Sequence, residues 1–304
     1  IAEETLAVGD LDDPGDPGRE PFGGRPFAWS MAALGHSWDD VAEVLRPMAE
    51  KGAVPLASMG FDTPLACLSA RPRPFFDYFY QLFAQVTNPP IDALRESMVT
   101  SSVLYLGNHG NILEDARDNC RLVALDGPIL SDDAFRRVAA LDRTGFHART
   151  FVGAFDPAAG PDALEASLDA LCDEVERAVA AGTNVVVLTD DCDPALVPVP
   201  SLLSLGAVHD RLMAGGLRME ADIVVDTGDA VCAHDFAALV GFSASGVHPR
   251  GAHDALACAV ATGAVTVGLA EALANYDRAV TSGIVSIMSK MGISTMQGYH
   301  AARI

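Results

Sequence analysis

The sequence predicts an α/β fold: repeated β-α units around a largely parallel sheet, incomplete-barrel-like, with a helical N-terminal part. Three observations predict it. From about Leu122 onward, short β-branched runs alternate with stretches of helical period, the order expected of β-α units. Upstream, apolar residues recur at three- and four-residue spacing. Half of the 304 residues are hydrophobic, enough to bury a sizeable core in one large domain or two smaller ones.

The first 26 residues are rich in Asp, Glu, Gly and Pro and have almost no apolar periodicity, so they read as an acidic linker or a tail packed on something else. Ser37 caps a helix whose first turn carries Asp39 and Asp40 and whose stripe is Val41, Val44, Leu45 and Met48. A second helix is expected from about Pro74 to Val86, with Phe75, Phe76, Phe79, Leu82, Phe83 and Val86 as core and Asn88-Pro89-Pro90 as its stop. Phe146 to Phe155 reads as a strand. Asp162 then caps a helix faced by Leu164, Leu168, Leu171, Val175 and Val179, which Gly182 ends. The cycle continues with a buried strand at 184–188, a helix from about Ser201 to Ala214, a strand at 222–225, a helix near 234–240 and a short run at 245–247. About four β-α units result, and the pattern alone does not separate half of an eight-fold barrel from an open sheet covered on both faces.

Lys and Arg total 20 against 41 Asp and Glu, a formal charge of −21, which disfavours a nucleic-acid partner. No apolar run reaches the roughly 20 residues of a membrane span and no secretion signal is readable, so the expectation is a soluble, cytoplasmic protein. Six scattered cysteines without a CxxC pair read as reduced, mostly buried thiols.

Acids follow two strands, Asp190, Asp191 and Asp193 after one and Asp226 and Asp229 after the next, where ligand sites of α/β folds sit. Asp is equally favoured in any turn after a strand, and in a chain this acidic the turn reading is preferred. No HExxH spacing offers zinc two imidazoles, so no metal site is expected. Neither Gly107 to Gly110 nor Gly215-Gly216 makes a nucleotide loop. No GxSxG elbow is present, and Ser201 reads as a helix cap; no catalytic residue is assigned.

A longer signal lies at residues 58–92, where SMGFDTPLACLS is followed by RPRPFFDYFYQLFAQVTNPPID. This stretch resembles the central domain of glutamate synthases. The likeness continues through Tyr105-Leu106-Gly107, Gly110-Asn111, Pro128-Ile129-Leu130, residues 198–203, Ala207-Val208-His209, Gly216-Leu217-Arg218 and Thr227-Gly228. Asn275-Tyr276 and residues 288–295 are similar to the opening of the family's FMN-binding barrel. The resemblance implies a linker at 1–26, a central domain at 27–265 and a truncated start of the FMN barrel at 266–304.

In that family an amidotransferase releases ammonia from glutamine, the ammonia passes internally to the flavin barrel, and 2-oxoglutarate is reductively aminated to L-glutamate. The resemblance implies FMN and a three-iron iron–sulfur cluster in the full-length enzyme, with none bound to this fragment. It also implies amidotransferase and FMN-binding domains on the same polypeptide, and an NADPH-oxidising small subunit or ferredoxin as electron donor. The fragment is expected to join the two catalytic domains, to line part of the ammonia route and to be inactive alone. By the same resemblance Ser58, Met59 and Gly60 face the flavin and Asp62 and Thr63 the 2-oxoglutarate, glycine allowing close backbone approach. Departures stand at Phe61, where the family usually has a polar or acidic residue, at Asp210-Arg211, which interrupts a histidine run, and at His248 and Arg250, in Val-His-Pro-Arg where Val-Asn-Pro-Tyr is usual. Two other readings are a stand-alone scaffold or regulatory homologue without redox activity, and weak FMN binding through Met59 and residues 288–294.

Overall fold

A computed structural model describes residues 5–18, 20–56, 64–80, 89–111, 113–114 and 116–302. Its strands in chain order are β1 (Leu6–Ala7), β2 (Leu104–Leu106), β3 (Val123–Leu125), β4 (Asp142–Arg143), β5 (Phe146–Val152), β6 (Ala154–Phe155), β7 (Val185–Thr189), β8 (Val197–Pro198), β9 (Asp222–Asp226) and β10 (Gly246–His248). The α-helices are α1 (Phe27–Ala33), α2 (Arg46–Lys51), α3 (Glu96–Val99), α4 (Asp132–Ala139), α5 (Ala163–Ala180), α6 (Ser201–Ala214), α7 (Ala233–Gly241), α8 (Arg250–Ala261), α9 (Leu269–Met291) and α10 (Met296–Tyr299). The chain divides into two units, one of residues 1–16, 103–227 and 242–248 and one of residues 17–102, 228–241 and 249–304.

The first unit is the α/β part. Its main sheet has the order β10-β9-β7-β5-β4, parallel throughout except for the β4–β5 pair. Each strand joins beside its predecessor, the progressive order of a barrel segment. A doubly wound sheet would reverse direction at a switch point. Among the described residues this sheet stays open. Every residue of β7 and β9 is buried, as their near-continuous Val and Ile runs require of a parallel sheet shielded on both faces. Helices α5 and α6 pack on each other, α5 also against β5 and β6 and α6 against β7 and β9. Gly182, at φ +108, follows the end of α5, and the amides of Gly182 and Thr183 return to the carbonyls of Val179 and Ala178.

A second sheet, β1-β3-β2, draws on the acidic first segment, since Leu6 and Ala7 pair in parallel with Val123 and Ala124. Leu11 is buried, and its carbonyl accepts a hydrogen bond from Arg137 of α4.

The second unit is helical. Ser37 caps as expected: its hydroxyl accepts from the Asp40 amide at 3.3 Å and the Asp40 carboxylate accepts from the Ser37 amide at 2.6 Å. The helix it opens passes through a π-turn at Asp40–Leu45 before α2, and Val41, Leu45 and Met48 face the core. Helix α9 is the spine, contacted by α2, α7 and α8. Its Tyr276 hydroxyl donates to the Val231 carbonyl and its Asn275 amide to the Ala49 carbonyl. Gly283 of α9 lies against Ala233, where a Cβ would stand 2.6 Å from the alanine methyl.

Several local expectations are corrected. The helix expected at 74–86 is a short 3-10 turn at Phe75–Tyr78, and Phe79 is already extended (φ −115°, ψ 144°); residues 81–88 lie outside the described residues. Phe76 is buried while Tyr78 and Tyr80 are about half exposed, so the aromatic spacing does not mark one buried helical face. The strand expected at 146–155 breaks at Gly153, whose carbonyl accepts from Val199 and whose missing Cβ makes room for Ser204. Asp162 stands at the start of α5 but its side chain makes no capping bond. Ser201 is the first helical residue rather than the cap, and its hydroxyl meets that of Thr227 at 3.2 Å.

Candidate functional site

Three parallel strands of the α/β unit end side by side, β7 at Thr189, β9 at Asp226 and β10 at His248, with Thr189 in register with Asp226 and Asp226 with His248. Strands in register stand about 4.8 Å apart with matched side chains on one face, so the three groups fall within hydrogen-bonding reach. The Thr189 hydroxyl donates to Asp226 Oδ2 at 2.6 Å, and Asp226 Oδ1 faces His248 Nδ1 at 2.7 Å. His248 Nε2 faces Asp132 Oδ1 at 2.9 Å. Asp132 opens α4, whose cap is Ser131, and Phe135 one turn further stacks flat on the His248 ring at 4.3 Å and 5°. Each ring nitrogen thus points at a carboxylate oxygen; an imidazolium satisfies both, a neutral ring only one.

Beneath this chain lies a cavity of about 10 Å³ lined by Leu188, Thr189, Asp190, Val199, Ser201, Ser204, Val225 and Asp226. That is room for about one water, far below the several hundred Å³ of a small-molecule site. The arrangement holds strand ends in register and α4 against them, and could relay a proton along Thr189, Asp226, His248 and Asp132. It offers no space there for a flavin or a dicarboxylate.

Of the acids singled out in the sequence, Asp226 is the hub of this network and Asp190 lines the cavity. Asp193 behaves as a turn residue, its carboxylate accepting from the Ala195 amide at 2.8 Å, and the Asp191 amide donates to the Thr189 hydroxyl. Asp229 belongs to the helical unit. The expected flavin-facing and substrate-facing residues Ser58, Met59, Gly60, Asp62 and Thr63, and Phe61 among them, lie outside the described residues. Arg250, buried at the start of α8, sits beside Gly228 within the helical unit; a Cβ at Gly228 would come 3.3 Å from its Nη2.

Sequence reasoning missed Asp132 and Phe135. Ser131 and the acids after it are a readable helix start, but 116 residues separate Asp132 from the histidine it meets. It also missed the opposite end of β9. There Asp222 Oδ2 accepts from the Gly107 amide and faces His109 Nε2 at 2.8 Å, while Oδ1 accepts from Ser245 Oγ at 2.7 Å and Arg218 stands 3.7 Å away. Burial alone would raise the Asp222 carboxyl, but the hydrogen bond and charge of His109, with Arg218 and Ser245, bring it below the usual range. The hydrogen bond to Asp222 in turn raises His109 against its own burial.

These features define a mixed α/β protein with an open, progressively ordered parallel sheet and buried polar networks that clamp both strand ends. The chain belongs to the glutamate synthase central domain family, whose pattern it matches over residues 30–304. It is 37% identical over 273 residues to the glutamate synthase [NADPH] large chain of Bacillus subtilis (strain 168), aligning 90% of this chain with 18% of that protein. It is 38% identical over 289 residues to ferredoxin-dependent glutamate synthase 2 of Synechocystis sp., again 90% against 18%. With glutamate synthase [NADH] of Schizosaccharomyces pombe the identity is 38% over 280 residues, 90% against 13%. The chain therefore spans under a fifth of the length of these relatives. Among solved structures, the flavin-binding domain of baker's yeast flavocytochrome b2 is 17% identical with a TM-score of 0.35, covering 42% of this chain and 31% of that one, a likeness that carries no argument. Among the described residues no helix is long and apolar enough to cross a membrane.

Proposed function

We propose that this chain is the connecting domain of a glutamate synthase large subunit, a cytoplasmic enzyme that forms L-glutamate from 2-oxoglutarate and glutamine-derived ammonia. The observation that carries the reading is the family match over residues 30–304 together with relatives about 38% identical across 90% of the chain. In this reading residues 1–26 are a linker, 27–265 the connector and 266–304 the first segment of the FMN barrel. The loop Ser58, Met59 and Gly60 faces the flavin, and Asp62 and Thr63 face 2-oxoglutarate. FMN and a three-iron cluster belong to the rest of the polypeptide, with NADPH or ferredoxin as the source of electrons. The chain joins amidotransferase to flavin domain and lines part of the ammonia path.

A connector must bury surface against its neighbours. Val54, Leu56, Leu65, Leu68, Leu94, Met98 and Val99, all within one stretch of the helical unit, are exposed large apolar side chains, as expected of surface awaiting a partner domain. The test uses the full polypeptide that carries this chain. Leu94→Glu with Met98→Glu is expected to uncouple it, keeping glutaminase activity and electron transfer to an artificial acceptor but losing glutamine-dependent glutamate formation. Unchanged coupling, or a flavin-loaded full polypeptide that makes no glutamate, counts against the reading.

A further inference from the structure

We propose that the cavity at the end of β7 is a binding site for one water molecule, held by the Ser204 hydroxyl of α6 and joining that helix to the polar chain on the strand ends. The whole lining belongs to the α/β unit, and five of its residues are polar: Thr189, Asp190, Ser201, Ser204 and Asp226. The volume of about 10 Å³ is at the threshold for a single internal water, which also needs two to four polar partners. An organic ligand does not fit.

Ser204 supplies the first partner. It is 4% exposed, and its Oγ is buried without a hydrogen-bond partner among the described residues. A serine inside a helix can donate to the carbonyl four residues back. For Ser204 that residue is Pro200, whose carbonyl already accepts from the amides of Leu203 at 2.9 Å and Ser204 at 3.1 Å, so both of its lone pairs are engaged. Gly153 also lies against the hydroxyl, since a Cβ there would stand 2.8 Å from Oγ, and its own carbonyl accepts from Val199. Buried hydroxyls in folded proteins are nearly always paired, because one left without a partner forfeits the energy of its lost hydration. An alanine at this position would leave nothing unpaired, whereas a serine calls for a group in the cavity that it lines.

Thr189 supplies the second partner. Its hydroxyl donates to Asp226 Oδ2 at 2.6 Å and accepts from the Asp191 amide at 3.0 Å, which uses its hydrogen and one of its two lone pairs. A water that accepts from Ser204 Oγ and donates to the remaining lone pair of Thr189 satisfies both hydroxyls. Its second hydrogen finds carboxylate oxygens in the same lining, where each ionised carboxylate offers about four lone-pair sites.

The chain of Thr189, Asp226, His248 and Asp132 then extends by one bridge into α6. Helix and strand end are tied through the water, which is enthalpically nearly as good as a direct hydrogen bond. The inference does not depend on the proposed function, because it concerns the interior of the α/β unit alone.

The test is a crystal structure of the full polypeptide that carries this chain, at a resolution that orders internal solvent, joined to hydrogen exchange of the same protein followed by mass spectrometry. One solvent peak is expected about 2.8 Å from both Ser204 Oγ and Thr189 Oγ1. Ser204→Ala should remove that peak, and exchange of the amides at 189–191 should quicken about tenfold as the bridge is lost. With a dry cavity the same substitution merely deletes an unpaired hydroxyl, and exchange stays equal or slows. The proposal is overturned by no peak, by a peak that persists unchanged in Ser204→Ala, or by exchange in that variant no faster than in the parent. A peak with several oxygens at about 2.4 Å marks a metal cation and overturns it as well.

Discussion

The two aspartates at the ends of β9 hold neighbouring strands through buried hydrogen bonds, and each makes a prediction. Asp226→Ala removes the acceptor of the buried Thr189 hydroxyl and one of the two carboxylates that face His248. It is expected to cost about 2 kcal/mol in urea-induced unfolding, within the range for a buried hydrogen-bonding group that loses its partner. At the other end, the raised His109 contributes stability that is fully present below the unfolded value near 6.5 and is lost as pH rises through the folded value. The lowered Asp222 contributes above the unfolded value near 3.9 and loses that contribution as pH falls through its folded value. His109→Gln should therefore be destabilising at pH 6 and converge on the parent as pH rises well above neutrality. A gap that widens with pH would contradict this assignment. Sequence could place these residues on strand ends but not pair them, because their partners come from positions 22 to 116 residues away.

At the scale of elements, the sequence showed α5, β7, α6 and β9, whose apolar stripes are regular, but not α8 or the long spine α9. It failed at Phe75–Tyr80, where aromatic spacing mimics a helix but Phe79 takes up extended backbone. Element contacts also rest on glycines whose role a sequence cannot show. Gly251 in α8 sits so close to the carbonyl of Gly228 that a Cβ would collide with backbone, which cannot move aside as a side chain could. Gly251→Ala is expected to cost about 3 kcal/mol by overpacking. Gly268→Ala, where nothing lies within 4 Å of the added methyl and φ is −68°, should be near neutral. Chemical denaturation of the pair checks this; equal effects would mean that the close approach is not what constrains α8.

For the whole molecule, the exposed apolar stretch and the small share of its relatives that the chain covers point the same way. Isolated, it is expected to give no saturable change in flavin fluorescence when titrated with FMN, since the reading assigns most flavin contacts to the remaining polypeptide. Tight binding by this chain alone would move the flavin site into it. Leu94→Glu with Met98→Glu should also make the isolated chain more soluble by breaking the apolar surface, which sedimentation at rising concentration would show.

The sequence by itself determined the α/β class, the order of β-α units and, through residues 58–92, the family. Hydrophobic period and long motifs are local and survive in one dimension. The tertiary structure decided the progressive strand order, the open sheet, the contribution of Leu6–Ala7 to β3 and the pairing of Asp226 with His248 and Asp132. Those depend on which distant segments meet, and the free energy of such contacts comes from burial and hydrogen bonding between residues whose separation along the chain carries no periodic trace.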